Sequence, residues 1–167
     1  MKGEIFMKNR LLTLLQENCK FTEAELAAML NTTEDVIHAQ IKEFEEQGII
    51  AGYKALINWE KVPGADVNAL IELKVMPKRD KGFDEIAKRV MTFEEVEGVY
   101  LMAGDYDLGV FVKGHSIQDI AMFVAKRLSP LESVLSASTH FILTKYKSNN
   151  VDLQNFTSDT DGRECVI

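Results

Sequence analysis

Apolar side chains recur at helical spacing along the first fifty residues of the chain. Leu11, Leu14 and Leu15 belong to an apolar stripe that predicts a first helix over residues 4–18. A second helix is expected to begin after Thr22, because Thr22 and Glu25 have the spacing of a capping box, in which each side chain bonds a free backbone N–H of the other residue. The pattern therefore predicts an N-terminal domain built from helices.

The second and third predicted helices are separated by a short turn. Asn31 is expected to adopt a positive φ there, which Asn tolerates better than most residues. Thr33 is expected to cap the third helix, and Gly48 to end it. Three apolar residues of this helix repeat at i, i+4 and i+7 and predict one buried face: Ile37, Ile41 and Phe44. Residues 1–50 therefore form a candidate helix-turn-helix domain.

Beyond residue 64 the hydrophobic pattern switches to alternating strands and helices. Residues 51–64 are expected to form a strand linker ending near Pro63 and Gly64. Strands are predicted over 67–76, 96–103, 108–113 and 134–146, and helices over 83–91 and 116–128. The order βαββαβ predicts an antiparallel four-stranded sheet with both helices on one face, over residues 65–147. The polar residues 148–167 are expected to form a flexible tail.

Charge is spread unevenly over these segments. The net charge of −7 divides into −4 for residues 1–60, 0 for 61–147 and −3 for 148–167. Residues 21–50 contain one basic residue, Lys42, against seven acids. Nucleic-acid binders usually concentrate positive charge on the binding domain. The acidic charge of residues 21–50 therefore argues against DNA binding, which the helix-turn-helix pattern suggests.

Several classes of protein are disfavoured by what the sequence lacks. No apolar run approaches the roughly 18 residues of a membrane span, and the polar N-terminus is not typical of a signal peptide, so we expect a cytoplasmic protein without membrane contact. The two cysteines, Cys19 and Cys165, are too far apart in sequence to indicate a metal motif. We find no nucleophile elbow, P-loop or dinucleotide motif, and therefore expect neither an enzyme nor a cofactor.

Short motifs in this order resemble the Lrp/AsnC family, the feast/famine transcription regulators of prokaryotes. Gly52-Tyr53 is similar to the pair that opens the family's linker strand, and the sequence GDYD at 104–107 is similar to a turn of its effector-binding domain. The family's signature at the end of the third helix is matched by Ile41, Phe44, Glu45, Gln47, Gly48 and Ile50. The resemblance covers about residues 5–147.

The resemblance implies an α+β fold: a three-helix winged helix-turn-helix domain, a strand linker, and a ferredoxin-like domain of the ACT-like or RAM type. It also implies a homodimer whose linker strands pair and whose sheets pack together, assembled further into an octamer or other ring. Family members bind double-stranded operator DNA and amino acids or related metabolites. The implied function is a DNA-binding transcription regulator of amino-acid metabolism that responds to an amino acid or a related small metabolite.

The third helix carries the residues expected to contact DNA. Its N-terminal part would face the base edges in the major groove. The candidate contacts are Thr33, His38, Gln40, Lys42 and Lys54. Gln40 has the chemistry to pair with adenine, and basic residues at 40 and 43 are expected to strengthen binding. The alternative is a degenerate acidic head that binds DNA weakly or not at all and acts by ligand sensing and assembly with other subunits.

The effector is expected at the turn between two strands of the second domain. Its exposed N–H groups can hold a carboxylate, and its aspartates can accept bonds from an ammonium group. The candidate residues are Gly104, Asp105, Tyr106, Asp107, Ser136 and Ser138. The alternative is that these four turn residues simply form a hairpin connection, which their types suit equally well.

Overall fold

The computed structural model describes residues 2–76 and 82–154. The helices are α1 (Lys2–Glu17), α2 (Glu23–Leu30), α3 (Glu34–Glu46), α4 (Asp84–Met91) and α5 (Ile117–Phe123), which a π-helical turn (Val124–Leu128) extends. The strands are β1 (Val67–Val75), β2 (Val96–Leu101), β3 (Leu108–Gly114), β4 (Val134–Ile142), β5 (Lys147–Ser148) and β6 (Val151–Asp152). The order matches the predicted succession of elements.

The chain divides into two compact units. The second unit is Asn58–Tyr146, which we call the body; the first combines Met1–Ile57 with the described part of the chain from Lys147 onwards. We call the three-helix part, residues 2–57, the head.

A small apolar core holds the three helices of the head together. Its fully or almost fully buried members come from all three helices: Leu11, Leu14, Leu26, Ala27, Ile37 and Phe44. Ile41 is partly buried against this cluster. The buried face predicted for the third helix is therefore confirmed.

The body is a four-stranded antiparallel sheet in the order β2-β3-β1-β4. The core lies between the sheet and its helices, because alternate strand residues such as Ile71 and Val110 pack with Ile86, Val90 and Ile120. Both helices therefore cover one face, as predicted. The other face, which we call the open face, is lined by Leu70, Glu72, Tyr100, Gly109, Phe111, Ser138 and His140.

In the single chain, two connections differ from what the sequence predicts. Residues 51–58 form no regular strand, and a 3₁₀ turn (Trp59–Lys61) follows. An isolated strand has no ladder partner, so a linker strand needs a second chain or another segment to pair with.

The start of the expected tail is also structured. β5 and β6 form a hairpin whose turn residues, Asn149 and Asn150, both have positive φ (46° and 66°). Such φ values are typical of the tight turn that matches the twist of two antiparallel strands. Leu153 behind the hairpin is 5% exposed. The rest of the predicted tail, residues 155–167, lies outside the described residues.

Candidate nucleic-acid interface and effector site

Hydrogen bonds at both ends of α2 set the helix-turn-helix geometry. The Thr22 hydroxyl accepts from the Glu25 N–H at 3.2 Å, and the Glu25 carboxylate accepts from the Thr22 N–H at 2.7 Å. This confirms the capping box. At the other end Asn31 has a φ of 53°, and the Thr32 N–H donates to the Ala27 carbonyl at 2.9 Å. The expected left-handed Asn therefore closes α2 and directs the chain into α3.

The buried side of α3 determines which residues face solvent. Ile37 and Phe44 point into the head core, so the opposite stripe is exposed. This stripe, which we call the recognition face, consists of Asp35, His38, Ala39, Lys42 and Glu46. Among the predicted DNA contacts, His38 and Lys42 therefore lie on an accessible surface.

Two other predicted DNA contacts lie outside this stripe. Thr33 is exposed at the N-cap position of α3, but its side chain makes no capping hydrogen bond, contrary to the expected cap. Its hydroxyl therefore stays available for a phosphate. Lys54 is exposed in the irregular segment after the head helices.

Lys42 and His38, the basic side chains of the recognition face, both lie close to carboxylates. His38 Nδ1 lies 2.8 Å from Glu23 Oε1, and Lys42 Nζ lies 3.9 Å from Glu46 Oε1. Exposed pairs of this kind are weak and are screened by salt. A phosphate can therefore compete for Lys42, but the face offers no excess of positive charge.

Gln40 is not placed as its predicted role requires. It is 7% exposed, because it lies three residues after Ile37 on the inward side of α3, and its Nε2 donates to Glu43 Oε2 at 2.7 Å. A side chain that is enclosed and bonded in this way does not present its amide to a base edge. The expectation that Gln40 reads adenine is therefore wrong for this conformation.

Glu43 is tied to another helix. Its carboxylate accepts from Lys8 Nζ at 3.1 and 3.3 Å and from Gln47 Nε2 at 3.1 Å, in addition to Gln40. The bonds from Lys8 and then Gln40 hold the pKa of Glu43 below its usual value of 4.5. A basic residue at 43 would lose these bonds and would face Lys8 with like charge. The prediction that basic residues at 40 and 43 strengthen DNA binding stays untested, and these bonds give a physical reason for the opposite result.

Local hydrogen bonds and burial shift the pKa of two further groups of the head, Glu25 and Tyr53. The Glu25 carboxyl has a lowered pKa, because the Thr22 N–H and hydroxyl both donate to the ionised form. Burial, followed by the hydrogen bond to Glu45, raises the pKa of the Tyr53 phenol, whose hydroxyl donates to Glu45 Oε1 at 3.0 Å.

In the body, the turn at 104–107 joins β2 and β3 and lies beside the end of β1. Gly104 and Asp105 are exposed, whereas Tyr106 and Asp107 are partly buried. Asp107 is bonded on three sides: its Oδ2 accepts from the Val75 N–H at 2.8 Å, its N–H donates to the Leu73 carbonyl at 3.0 Å, and its carbonyl accepts from the Met102 N–H at 2.8 Å. Asp107 therefore secures the turn to β1.

Asp105 differs from Asp107 in its surroundings. Its carboxylate is exposed and has no bonded partner among residues 2–76 and 82–154. Of the two aspartates, Asp105 is thus the one left available to a ligand's ammonium group.

The remaining predicted effector residues lie on or near the open face. Tyr106 packs over Gly109, where an added Cβ would lie 3.6 Å from Tyr106 Cε2. Ser136 and Ser138 are exposed on β4, with Ser138 in the same row as Glu72 of β1 and Gly109 of β3. Two strand spacings, roughly 10 Å, therefore separate Gly109 from Ser138 within one chain. The predicted residues share one side of the sheet but do not converge on a single point.

Sequence inspection missed the aromatic part of the open face. Tyr100 and Phe111 are exposed there and pack edge to face, with ring centroids 5.7 Å apart. Beside them His140 Nε2 lies 3.3 Å from Glu72 Oε2. The sequence signal was weak, because buried and exposed residues do not alternate regularly along β2 or β3, and the pairing of the strands was needed to say which face each side chain occupies.

Metal and membrane chemistry find no support in the described chain. Over residues 2–76 and 82–154, no three His, Cys, Asp or Glu side chains come together as a metal ion would require. Within the same ranges each helix is too short or too polar to cross a membrane.

Family models of known proteins match both halves of the chain. Residues 8–51 match the family model described as winged helix-turn-helix DNA-binding, and residues 68–152 match the Lrp/AsnC ligand binding domain. The HTH-type transcriptional regulator YugG of Bacillus subtilis is 43% identical over 161 residues, covering 96% of this chain and 95% of that protein. The proline dehydrogenase transcriptional activator of Rhizobium radiobacter is 25% identical over 142 residues, covering 85% and 90%. These are regulators and not enzymes.

A solved structure has the same fold. The transcriptional regulator NMB0573 of Neisseria meningitidis, in complex with L-Met, superposes with a TM-score of 0.69 at 24% identity, covering 85% of this chain and 91% of that chain. At this identity the likeness concerns the fold alone.

Proposed function

Because this chain belongs to the Lrp/AsnC family of HTH-type transcriptional regulators, we propose that it controls genes of amino-acid metabolism in response to an amino acid. It has a DNA-binding helix-turn-helix and a ligand-binding domain. The recognition face of α3 meets the operator, and the turn at 104–107 holds the effector. Support for an amino acid comes from two relatives, one named for proline dehydrogenase and one solved with L-Met.

The observation that carries the effector proposal is the difference between the two aspartates of the turn. Asp107 is engaged with β1, whereas Asp105 is exposed at the same turn. A free amino acid carries one carboxylate and one ammonium group, and exposed turn N–H groups with a carboxylate beside them complement both. Asp105 therefore receives the ammonium group in this proposal, and Ser136 or Ser138 contacts the remainder of the ligand or a second subunit.

A thermal-shift screen tests this proposal. The twenty L-amino acids are added singly to the full-length protein, with the D-isomer of each active compound as control. At least one L-amino acid should raise Tm, and Asp105→Ala should remove that rise while leaving the ligand-free Tm unchanged. If no amino acid shifts the Tm of the wild type, the effector proposal fails.

For DNA binding, the acidic head implies modest affinity that depends strongly on salt. Thr33, Lys42 and Lys54 are the phosphate contacts in this proposal, and His38 with Ala39 faces the bases. Fluorescence anisotropy on a duplex from the protein's own upstream region, compared with a shuffled duplex at two salt concentrations, measures both specificity and the number of phosphates neutralised. Equal binding to both duplexes at low salt would remove specific DNA recognition from the proposal.

A second candidate function is favoured by the charge of the head. Lys42 of the recognition face is already paired with Glu46, His38 is bonded to Glu23, and the face itself carries two acids, Asp35 and Glu46. Under this alternative the protein senses a ligand and joins other subunits without holding DNA itself. Preserved ligand response together with absent DNA binding would select the alternative.

We further propose a homodimer in which two bodies pack through their open faces and can assemble into a larger ring. The exposed Tyr100 and Phe111 would supply apolar contact, and the ion pairs Glu72–His140 and Glu97–Lys113 leave the face without a large excess of one charge. Phe111→Glu should shift the mass measured by light scattering from dimer to monomer, whereas Lys126→Glu, on the helix side of the body, should not. An unchanged mass for the Phe111 variant would place the interface elsewhere.

A further inference from the structure

Four polar side chains form one bonded cluster between α1 and α3, which we call the Glu43 junction. The Glu43 carboxylate is its centre, and it accepts bonds from Lys8, Gln40 and Gln47 at 2.7 to 3.3 Å. Both of its oxygens are used, since Oε2 faces Lys8 and Gln40 while Oε1 faces Lys8 and Gln47. The junction links positions 35 residues apart in the chain.

The junction differs from the Lys42–Glu46 pair in its burial and its reach, and from the His38–Glu23 contact in that it joins α3 to α1 and not to α2. Gln40 is 7% exposed and the Lys8 side chain 29%, whereas the Lys42 and Glu46 side chains of the neighbouring pair are 65% and 69% exposed. Lys42–Glu46 joins two residues of the same helix, so it cannot hold α3 against another element. Lys8–Glu43 can, because its two ends lie on α1 and α3.

The position of Glu43 around α3 means that the Lys8–Glu43 bond affects the orientation of the recognition face. Gln40 is on the buried side, Ala39 and Lys42 are on the recognition face, and Glu43 lies at the border between the two. Apolar contacts of Ile37 and Phe44 hold α3 against the head but tolerate small rotations, whereas directional bonds at the border oppose rotation. A rotation of α3 would displace the recognition face relative to a bound duplex.

We infer that Glu43 is a positioning residue for DNA recognition, which fixes the orientation of α3 through its bonds to Lys8 and Gln40. The inference rests on the proposed function, that the recognition face contacts an operator. Under this inference Glu43 supports DNA recognition, whereas its charge alone would suggest that it only repels phosphate. It assigns Lys8, although basic, to the junction and not to a phosphate contact.

The test compares Glu43→Gln with Glu45→Gln in the full-length protein, because Glu45 is an exposed acid of α3 outside both the recognition face and the junction. Both variants remove one negative charge from α3, but only the first disturbs the junction. The readout is the ratio of affinities for the upstream duplex and the shuffled duplex, measured by anisotropy well below Tm. For Glu43→Gln this ratio should fall roughly three- to tenfold, which is the range expected for losing a charge-assisted hydrogen-bond network. Glu45→Gln should keep the wild-type ratio.

Two variants of Lys8 identify the partner. Lys8→Met should reduce the ratio as Glu43→Gln does, and the double variant should be no worse than either single variant, because the two changes remove the same link. Lys8→Arg keeps a donor and should retain most of the specificity.

Three outcomes would overturn the inference. Equal gains in affinity for both duplexes with Glu43→Gln would mean that the acid only repels phosphate. A lower Tm with an unchanged affinity ratio would mean that the junction only stabilises the head. The third needs no DNA: backbone NMR shifts of Ala39 and Lys42 should move in Lys8→Met, whose change lies on α1, and not in a variant of α1 outside the junction, and unmoved shifts would refute the positioning role. If the wild type shows no preference for its own duplex while these shifts do move, the proposed function fails and the positioning of α3 stands.

Discussion

The two aspartates of the 104–107 turn should respond oppositely to the same substitution. Asp107→Ala should destabilise the body and Asp105→Ala should not, although the residues are two positions apart and chemically identical. The reason is that the Asp107 carboxylate accepts from the Val75 N–H at 2.8 Å, whereas Asp105 is exposed. Sequence alone gives the two aspartates the same ligand role, so this experiment separates the structural from the binding residue.

The magnitude follows from the burial of Val75. Val75 is 5% exposed, so removal of its acceptor leaves a backbone N–H without a partner in the protein interior. Such a group costs about 1–3 kcal/mol. The backbone bonds of Asp107 to Leu73 and Met102 do not involve the side chain and should survive. Asp107→Asn retains an acceptor oxygen and should lose less than Asp107→Ala.

Urea denaturation of the ligand-free protein measures the difference. Trp59 is the single tryptophan and belongs to the body, so its fluorescence reports on the relevant unit. The free energy of unfolding should fall by about 1–3 kcal/mol for Asp107→Ala and by less than about 0.5 kcal/mol for Asp105→Ala. Equal losses for the two variants, or no loss at Asp107, would refute the assignment of Asp107 as the residue that secures the turn to β1.

Three further predictions concern the first compact unit. Asn31→Ala should lower the free energy of unfolding by roughly 1 kcal/mol because Ala is strained at a φ of 53°, and Asn31→Gly should not, as chemical denaturation can verify. Because the pKa of Glu25 is lowered in the folded protein, its capping bond stabilises the head above about pH 4.5, and this stabilisation is lost as pH falls through the folded-state pKa. The Tm measured by circular dichroism should therefore drop less steeply between pH 5 and 3 in Glu25→Gln than in the wild type. Parallel curves of Tm against pH for the two proteins would contradict this. Leu153→Ala should cost about 2–5 kcal/mol in urea denaturation, a value near zero being incompatible with a packed side chain at 5% exposure.

Local sequence signals were sufficient where a single residue or a short period determines the backbone. The capping box at Thr22 and the left-handed Asn31 depend only on neighbours within a few positions, and both are confirmed. The βαββαβ order is likewise confirmed, because the periods of its strands and helices differ clearly. These features place the recognition helix and the effector turn in the chain.

Side-chain roles were harder to predict because they depend on contacts between distant segments. Gln40 looks like a base-contacting residue by type, yet its spacing from Ile37 and Phe44 puts it on the inward side, a signal that the helical period did contain. The bond from Lys8 to Glu43 spans 35 residues and has no local signature. The same holds for Asp107, whose partner Val75 lies 32 residues away.

The composition of the tail concealed the hairpin that follows Tyr146. Polar residues in no regular period suggested disorder, but two adjacent Asn residues with positive φ close β5 onto β6. A two-residue turn signal between such short strands is weak, because each strand contributes only two residues. Packing of Leu153 supplies the stabilisation that composition does not reveal.

The first unit draws on both ends of the polypeptide, and this affects the order in which the protein can be completed during synthesis. The body, Asn58–Tyr146, is one continuous segment that can finish folding once it leaves the ribosome. The three helices emerge before the body, but the hairpin and Leu153 emerge only after it. A released chain that ends near residue 146 would therefore contain the whole body but a first unit without its hairpin and Leu153, so such truncated chains should be deficient in the first unit rather than in ligand sensing.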